Sequence, residues 1–298
     1  MPQSANINPS AIRTDPVRLP LLAEKNIQAD MLRTDLIHPV ISGNKWFKLR
    51  FYLEQAVKEG KKGLLTFGGA WSNHIHATAA AGQMKGLTTT GIIRGEKPAV
   101  PSLTLREADA CGMHLYFVSR GDYRTKSVPA PVNDPGLLLV PEGGYGETGA
   151  RGAATMLDGC NVNDYTHILC AVGTGTMLAG IQSRVSGNTR VTGISVMKNN
   201  FSLDSAVAAL LPGQPLPVIL HSFHAGGYAR HNPALLSFMN FFFLETGIPT
   251  DFVYTGKLCH AFYQLTDAGY FPSGSRVLLI HSGGLQGNRS LAEGTLIF

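Results

Sequence analysis

Two lysines, Lys45 and Lys48, stand three residues apart in the stretch Gly43-Asn44-Lys45-Trp46-Phe47-Lys48. Gly43 and Asn44 both tolerate unusual backbone angles, so Lys45 sits where a glycine-led turn hands over to a helix. A lysine fixed at that point can carry a carbonyl cofactor as a Schiff base. Lys48 falls one helical turn later on the same side, where it can meet an anionic group of that cofactor. The bland alternative is a solvated basic helix.

Four further segments place small or polar residues where ligands gather in α/β proteins, beyond the carboxyl ends of strands. In Phe67-Gly68-Gly69-Ala70-Trp71-Ser72-Asn73-His74, a strand runs into glycines and then a helix start. Ser72 or Asn73 suits a plain N-cap there, or contacts a ligand carboxylate or ring oxygen. In Val172-Gly173-Thr174-Gly175-Thr176, converging amides and threonine hydroxyls make a phosphate cradle. It is not the dinucleotide fingerprint, because Leu178 stands where the third glycine belongs. Asp251 to Lys257 puts Tyr254 before a helix start, as a positioned acid or base or as a packing residue. Leu279-Ile280-His281-Ser282-Gly283-Gly284 ends a strand in a polar residue, with Ser282 able to bond a ring nitrogen or simply to turn the chain.

The elements that position these groups alternate between strand and helix. Strands are expected at 29–35, 63–67, 88–93, 113–118, 137–140, 167–172, 191–197, 218–221 and 277–281. Helices are expected at 45–59, 74–85, 102–111, 149–157, 176–184, 233–246 and 258–268, with a short one ending near 207–211. Residues 119–136 read as loop. Such alternation predicts parallel sheets covered by helices. The 298-residue chain is long enough for one large domain or two ordinary ones.

Composition narrows the function. The formal charge of +5 is modest and the basic residues are scattered, so no nucleic-acid footprint is present. The cysteines, Cys111, Cys160, Cys170 and Cys259, form no CxxC pair, which argues against a zinc site or a disulfide framework and for free thiols. No histidine pair shares a tight motif with an acidic residue, so no metal is expected. No GxSxG elbow supports a serine hydrolase. The segment Met1 to Asp15 is polar, without a signal core, and no run reaches the roughly 18 apolar residues of a membrane helix. The expected location is cytoplasmic.

Taken in order with Gly43-Asn44-Lys45, these segments resemble the 1-aminocyclopropane-1-carboxylate deaminase/D-cysteine desulfhydrase family, from about Leu19 to Gly284. These are pyridoxal-phosphate enzymes of the tryptophan-synthase-β fold type. The resemblance implies a two-domain α/β fold with parallel-rich sheets flanked by helices. Residues 1–47 and 148–298 would form the large domain, and 48–147 a smaller inserted one. It implies that Lys45 is the Schiff-base lysine. Asn73 would bond the cofactor's ring hydroxyl, and Gly173, Thr174, Gly175 and Thr176 with Lys48 would hold its phosphate. Ser72, with Asn73, His74 and Thr255, would line the substrate position, Ser72 assisting proton transfer. Tyr228 (in Gly226-Gly227-Tyr228) and Tyr254 match the family's active-site tyrosines, and Ser282 the position facing the pyridine nitrogen.

Ring-opening members carry Glu after the Tyr254 position and Leu at the Ser282 position. Thr255 and Ser282 stand there in this chain, and Ser72-Asn73-His74 also looks like the desulfhydrase branch. Trp46-Phe47 replaces the usual Thr-Arg between the lysines. The expectation is therefore α,β-elimination from a D-cysteine-like amino acid by a homodimer. Cyclopropane deamination is the near alternative, and a non-catalytic cofactor-binding protein the distant one.

Overall fold

The computed structural model describes residues 6–298, so the first five residues of the polar N-terminal segment and of the expected large domain lie outside it. Its first elements are strand β1 (Thr14–Val17), helix α1 (Pro20–Glu24), β2 (Gln28–Arg33) and α2 (Asn44–Lys58). Next come β3 (Gly63–Gly68), α3 (Asn73–Lys85), β4 (Thr88–Arg94), α4 (Leu103–Ala110), β5 (Met113–Val118), α5 (Arg120–Thr125) and β6 (Leu137–Val140). They are followed by α6 (Glu147–Ala154), β7 (His167–Val172), α7 (Thr176–Arg184), β8 (Arg190–Ser195), α8 (Ser202–Ala208) and β9 (Val218–Leu220). The chain closes with α9 (Pro233–Thr246), α10 (Thr255–Asp267) and β10 (Arg276–His281).

The strands form two sheets. The larger has the order β1-β2-β10-β7-β8-β9, and the smaller β5-β4-β3-β6. Every pairing is parallel except β1 with β2. Parallel strands covered on both faces carry near-continuous apolar runs. Every residue of β7 and of β3 is accordingly buried. Alternation along β10 sorts its side chains onto two faces: Val277 and Leu279 join one core cluster, and Leu278 and Ile280 the other.

The helix ends follow the expected chemistry. Ser72 caps α3 by accepting from the Ile75 amide at 3.3 Å, and Gly86 ends that helix at φ +67°. Asn232 caps α9, with Pro233 in its first turn.

Two differences from the sequence expectation have local causes. Segment 119–136 is not all loop: Ser119 accepts from the Asp122 amide at 3.1 Å and starts α5, whose Tyr123 is buried against Phe67. No strand is expected before residue 29, yet β1 forms at Thr14–Val17; it lies at the sheet edge, where Pro16, without an N–H, breaks no ladder. The short helix expected to end near 207–211 does end there, running over Ser202–Ala208 with Leu203 and Val207 on its buried side. Among the described residues no helix is long and apolar enough to cross a membrane.

Candidate active site

Gly43 sets the position of Lys45. Its φ is +57°, and a Cβ there would collide with the Ser282 backbone at the end of β10. The bare glycine lets the start of α2 dock on that strand end, with the Asn44 amide donating to the Ser282 carbonyl at 3.2 Å. Lys45 follows immediately. Its ammonium donates to Asn44 Oδ1 at 2.9 Å and lies 5.8 Å from the Tyr254 ring centroid. Lys48 is buried and donates to the Gly143 carbonyl at 3.3 Å.

A cavity of about 730 Å³ opens beside these lysines. The carboxyl ends of strands from both sheets meet there. Turn 68–72 follows β3, turn 142–144 follows β6, and turn 173–175 follows β7 into α7. Gly175, at φ +85°, begins α7, and Thr174 and Thr176 share a hydroxyl hydrogen bond of 3.0 Å. The turn 142–144 also has positive φ at Gly143 and Gly144.

Of the residues expected from sequence, Lys45, Lys48, Ser72, Asn73, His74, Gly173, Thr174, Gly175, Tyr228 and Tyr254 all line this cavity. Thr176, Thr255 and Ser282 do not. They are buried one step behind its wall, Thr255 beside Tyr254 and Ser282 beneath Gly43.

Burial and neighbouring charge set the protonation states. Burial pulls Lys45 down to about 8, although the nearby Asp251 carboxylate resists the shift. Lys48 is pushed well below the ordinary lysine value by burial and then by Lys45. His74 is pushed well below its ordinary value by burial and by both lysines. The Thr66 hydroxyl donates to the Val140 carbonyl at 2.7 Å, so it accepts from His74 Nε2 at 2.9 Å. His74 is thus a neutral Nε2–H imidazole, and its buried Nδ1 has no hydrogen-bond partner within the chain. Tyr254 is held well above the ordinary phenol range by burial and by the adjacent Tyr228, so it stays a protonated donor.

Asp251 is fully buried and accepts from the Val253, Tyr254 and Thr255 amides at 3.0, 2.8 and 2.9 Å. It therefore fixes the start of α10 and the placement of Tyr254. Burial raises its own pKa.

These residues fit pyridoxal phosphate. A reactive amine stands in a pocket that also has an amide-rich helix start and a second lysine for a phosphate. The unpartnered His74 Nδ1 and the bare glycine turns leave both a polar atom and space for a ligand. No group of metal-ligating side chains occurs among the described residues.

A family description reading "Pyridoxal-phosphate dependent enzyme" matches residues 7–283. The chain belongs to that family. It is 27% identical over 288 residues to a mitochondrial bifunctional D-cysteine desulfhydrase/1-aminocyclopropane-1-carboxylate deaminase of Arabidopsis thaliana, covering 86% of this chain and 72% of that one. It is 23% identical over 294 residues to a D-cysteine desulfhydrase of Salmonella typhi, covering 89% and 90%. Its fold is similar to the crystal structure of an ACC deaminase homologue, with a TM-score of 0.80 at 22% identity over 95% of this chain and 92% of the other. The fold is that of the family's two-sheet α/β enzymes, as expected from the sequence, and the cofactor is pyridoxal phosphate.

Several cavity residues escaped the sequence analysis. Glu142 and Gly143 follow β6 in the same strand-then-glycines arrangement as residues 67–69, and that pattern would have found them. Arg94, Arg120 and Arg230 also line the cavity, and no local motif marks them.

Proposed function

We propose that this protein is a lyase that removes the β-substituent of a D-cysteine-like amino acid, converting cysteine and water into pyruvate, ammonia and hydrogen sulfide. The observation that carries the proposal is the convergence on one cavity of Lys45, the α7 start with Lys48, and the α3 start with Ser72 and Asn73. The small hydroxyl residues Thr255 and Ser282 favour the desulfhydrase branch, while the relatives are named for both activities.

Pyridoxal phosphate, when bound, supplies a sink for the electron pair left at the substrate's α-carbon. Lys45 would hold it, with Gly173, Thr174, Gly175, Thr176 and Lys48 at its phosphate. Asn73 and Ser282 would lie toward its ring. The protein's own work is positional and protonic. Ser72 and the α3 amides hold the substrate carboxylate, aided by the partial positive charge of the helix start. Lys45, with its depressed pKa, takes the α-proton near neutral pH. Tyr254, kept protonated, holds a proton for the departing sulfur, and Tyr228 packs against it edge to face at 6.1 Å. His74 stays neutral and adds a hydrogen-bond acceptor rather than a charge.

The strands of the smaller sheet all come from residues 63–140, which supports 48–147 as an inserted domain. A cytoplasmic homodimer completes the proposal.

The test is a product assay on the cofactor-loaded protein with D-cysteine and, in parallel, 1-aminocyclopropane-1-carboxylate. Sulfide and pyruvate from D-cysteine are the expected result. Only 2-oxobutanoate, from the cyclopropane, would reassign the substrate. No product from either would overturn the proposed reaction.

A further inference from the structure

The cavity carries more positive charge than a neutral amino acid would use. Arg94 ends β4 and lies over Gly69, its Nη2 being 3.5 Å from where a Cβ on that glycine would stand. Arg120 opens α5, and Arg230 comes from the loop after β9. All three line the cavity that holds Lys45, and none forms an ion pair among the described residues. Among the described residues, the single acidic side chain on the wall, Glu142, is already occupied. Tyr123 donates to one of its oxygens and the Lys126 ammonium meets the other, each at 2.6 Å. A phosphate would draw on Lys48 and the α7 start, and an α-carboxylate on the α3 start. The three guanidinium groups are then left without an anion.

The loop that presents Arg230 is built and held. Gly226 and Gly227 have φ of +95° and +121°, and the flanking Ala225 and Ala229 are also at positive φ, +48° and +51°. Non-glycine residues stay in that region only where the surroundings fix them. Here Lys257, 1% exposed, donates to the Gly227 carbonyl at 2.7 Å, and the Arg230 amide donates to the same carbonyl at 3.1 Å. Tyr228 and Arg230 are thereby aimed at the cavity from one side, while Arg94 and Arg120 approach from the smaller sheet.

We infer that the site, beside cysteine, also accepts amino acids whose β-substituent itself carries negative charge, a sulfonate or phosphate ester, with Arg94, Arg120 and Arg230 as the receptor for that charge. Guanidinium groups match such oxyanions in charge and in donor geometry. The inference rests on the amino-acid lyase reading above and extends its substrate range to anionic β-substituents.

The test is equilibrium binding to the holoenzyme, read as the change in the cofactor's visible absorbance. The probes are both enantiomers of cysteate and of O-phosphoserine, with both enantiomers of alanine as the neutral reference. In the parent protein, one of the anionic probes should half-saturate at a concentration roughly tenfold or more below that of alanine, the worth of one charge-assisted contact. That ratio should fall toward one in R94Q and in R230Q. A response to alanine with no preference for either anion would overturn the inference and leave the lyase reading intact. An anionic preference that survives both substitutions would also overturn it. No response to any amino acid, alanine included, would overturn both.

Discussion

If burial sets the reactivity of Lys45, the pH dependence of cofactor capture must show it. The apoprotein amine has its pKa pulled from 10.5 to about 8. At pH 7 that leaves about 10% of Lys45 as free amine, against about 0.03% for an ordinary lysine, a gain of roughly 300-fold in the nucleophilic form. The decisive quantity is the midpoint, because a less basic amine is also a weaker nucleophile. The assay is the rate at which apoprotein captures pyridoxal phosphate between pH 6 and 10, followed by visible absorbance. It is normalised to the same reaction with Nα-acetyl-lysine, so that ionisation of the cofactor cancels. The normalised rate should level off as pH passes about 8. Asp251→Asn removes the charge that holds the Lys45 pKa up, so the break should move to lower pH. A profile that tracks acetyl-lysine up to pH 10 would refute the argument that burial activates this amine.

The other predictions address the scaffold. Asp251→Ala removes the acceptor of three amides at the start of α10, which should cost roughly 2–4 kcal/mol, or about 3–6 °C in Tm; an unchanged melting curve would show that water replaces the carboxylate. Gly43→Ala forces a side chain into the Ser282 backbone at positive φ, so cofactor content per protomer, measured by absorbance, should drop sharply. Lys257→Met removes the side-chain donor to the Gly227 carbonyl, leaving it the Arg230 amide, and should raise KM roughly tenfold with a smaller effect on kcat, while Lys257→Arg recovers part of the loss. Equal loss in both variants, with kcat affected most, would argue against a role in holding the Tyr228 loop.

The legible parts of this protein were those in which local sequence carries its own chemistry. The β-α alternation and the cap at Ser72 were readable because each rests on a few adjacent residues. The turns at 43–45, 68–73 and 173–176 were readable for the same reason, since glycine beside a polar residue announces a close approach. Helix α5 was hidden because six residues are too few to show a helical period, although Ser119 caps it and Tyr123 packs on Phe67. Asp251 was seen only as part of a segment, although an aspartate just ahead of a helix start is a capping signal. Arg94, Arg120 and Arg230 are far apart in sequence and converge only because two sheets share one cavity. The Gly227 loop gave up its tyrosine but not its anchor, since Lys257 reaches it across 30 positions of sequence.

The most direct test of the central claim is to reduce the cofactor-loaded protein with borohydride and map the modified peptide by mass spectrometry. A single pyridoxyl group on Lys45 is the predicted result. The same group on Lys48 or Lys257, or no covalently retained cofactor at all, would contradict the account of this site.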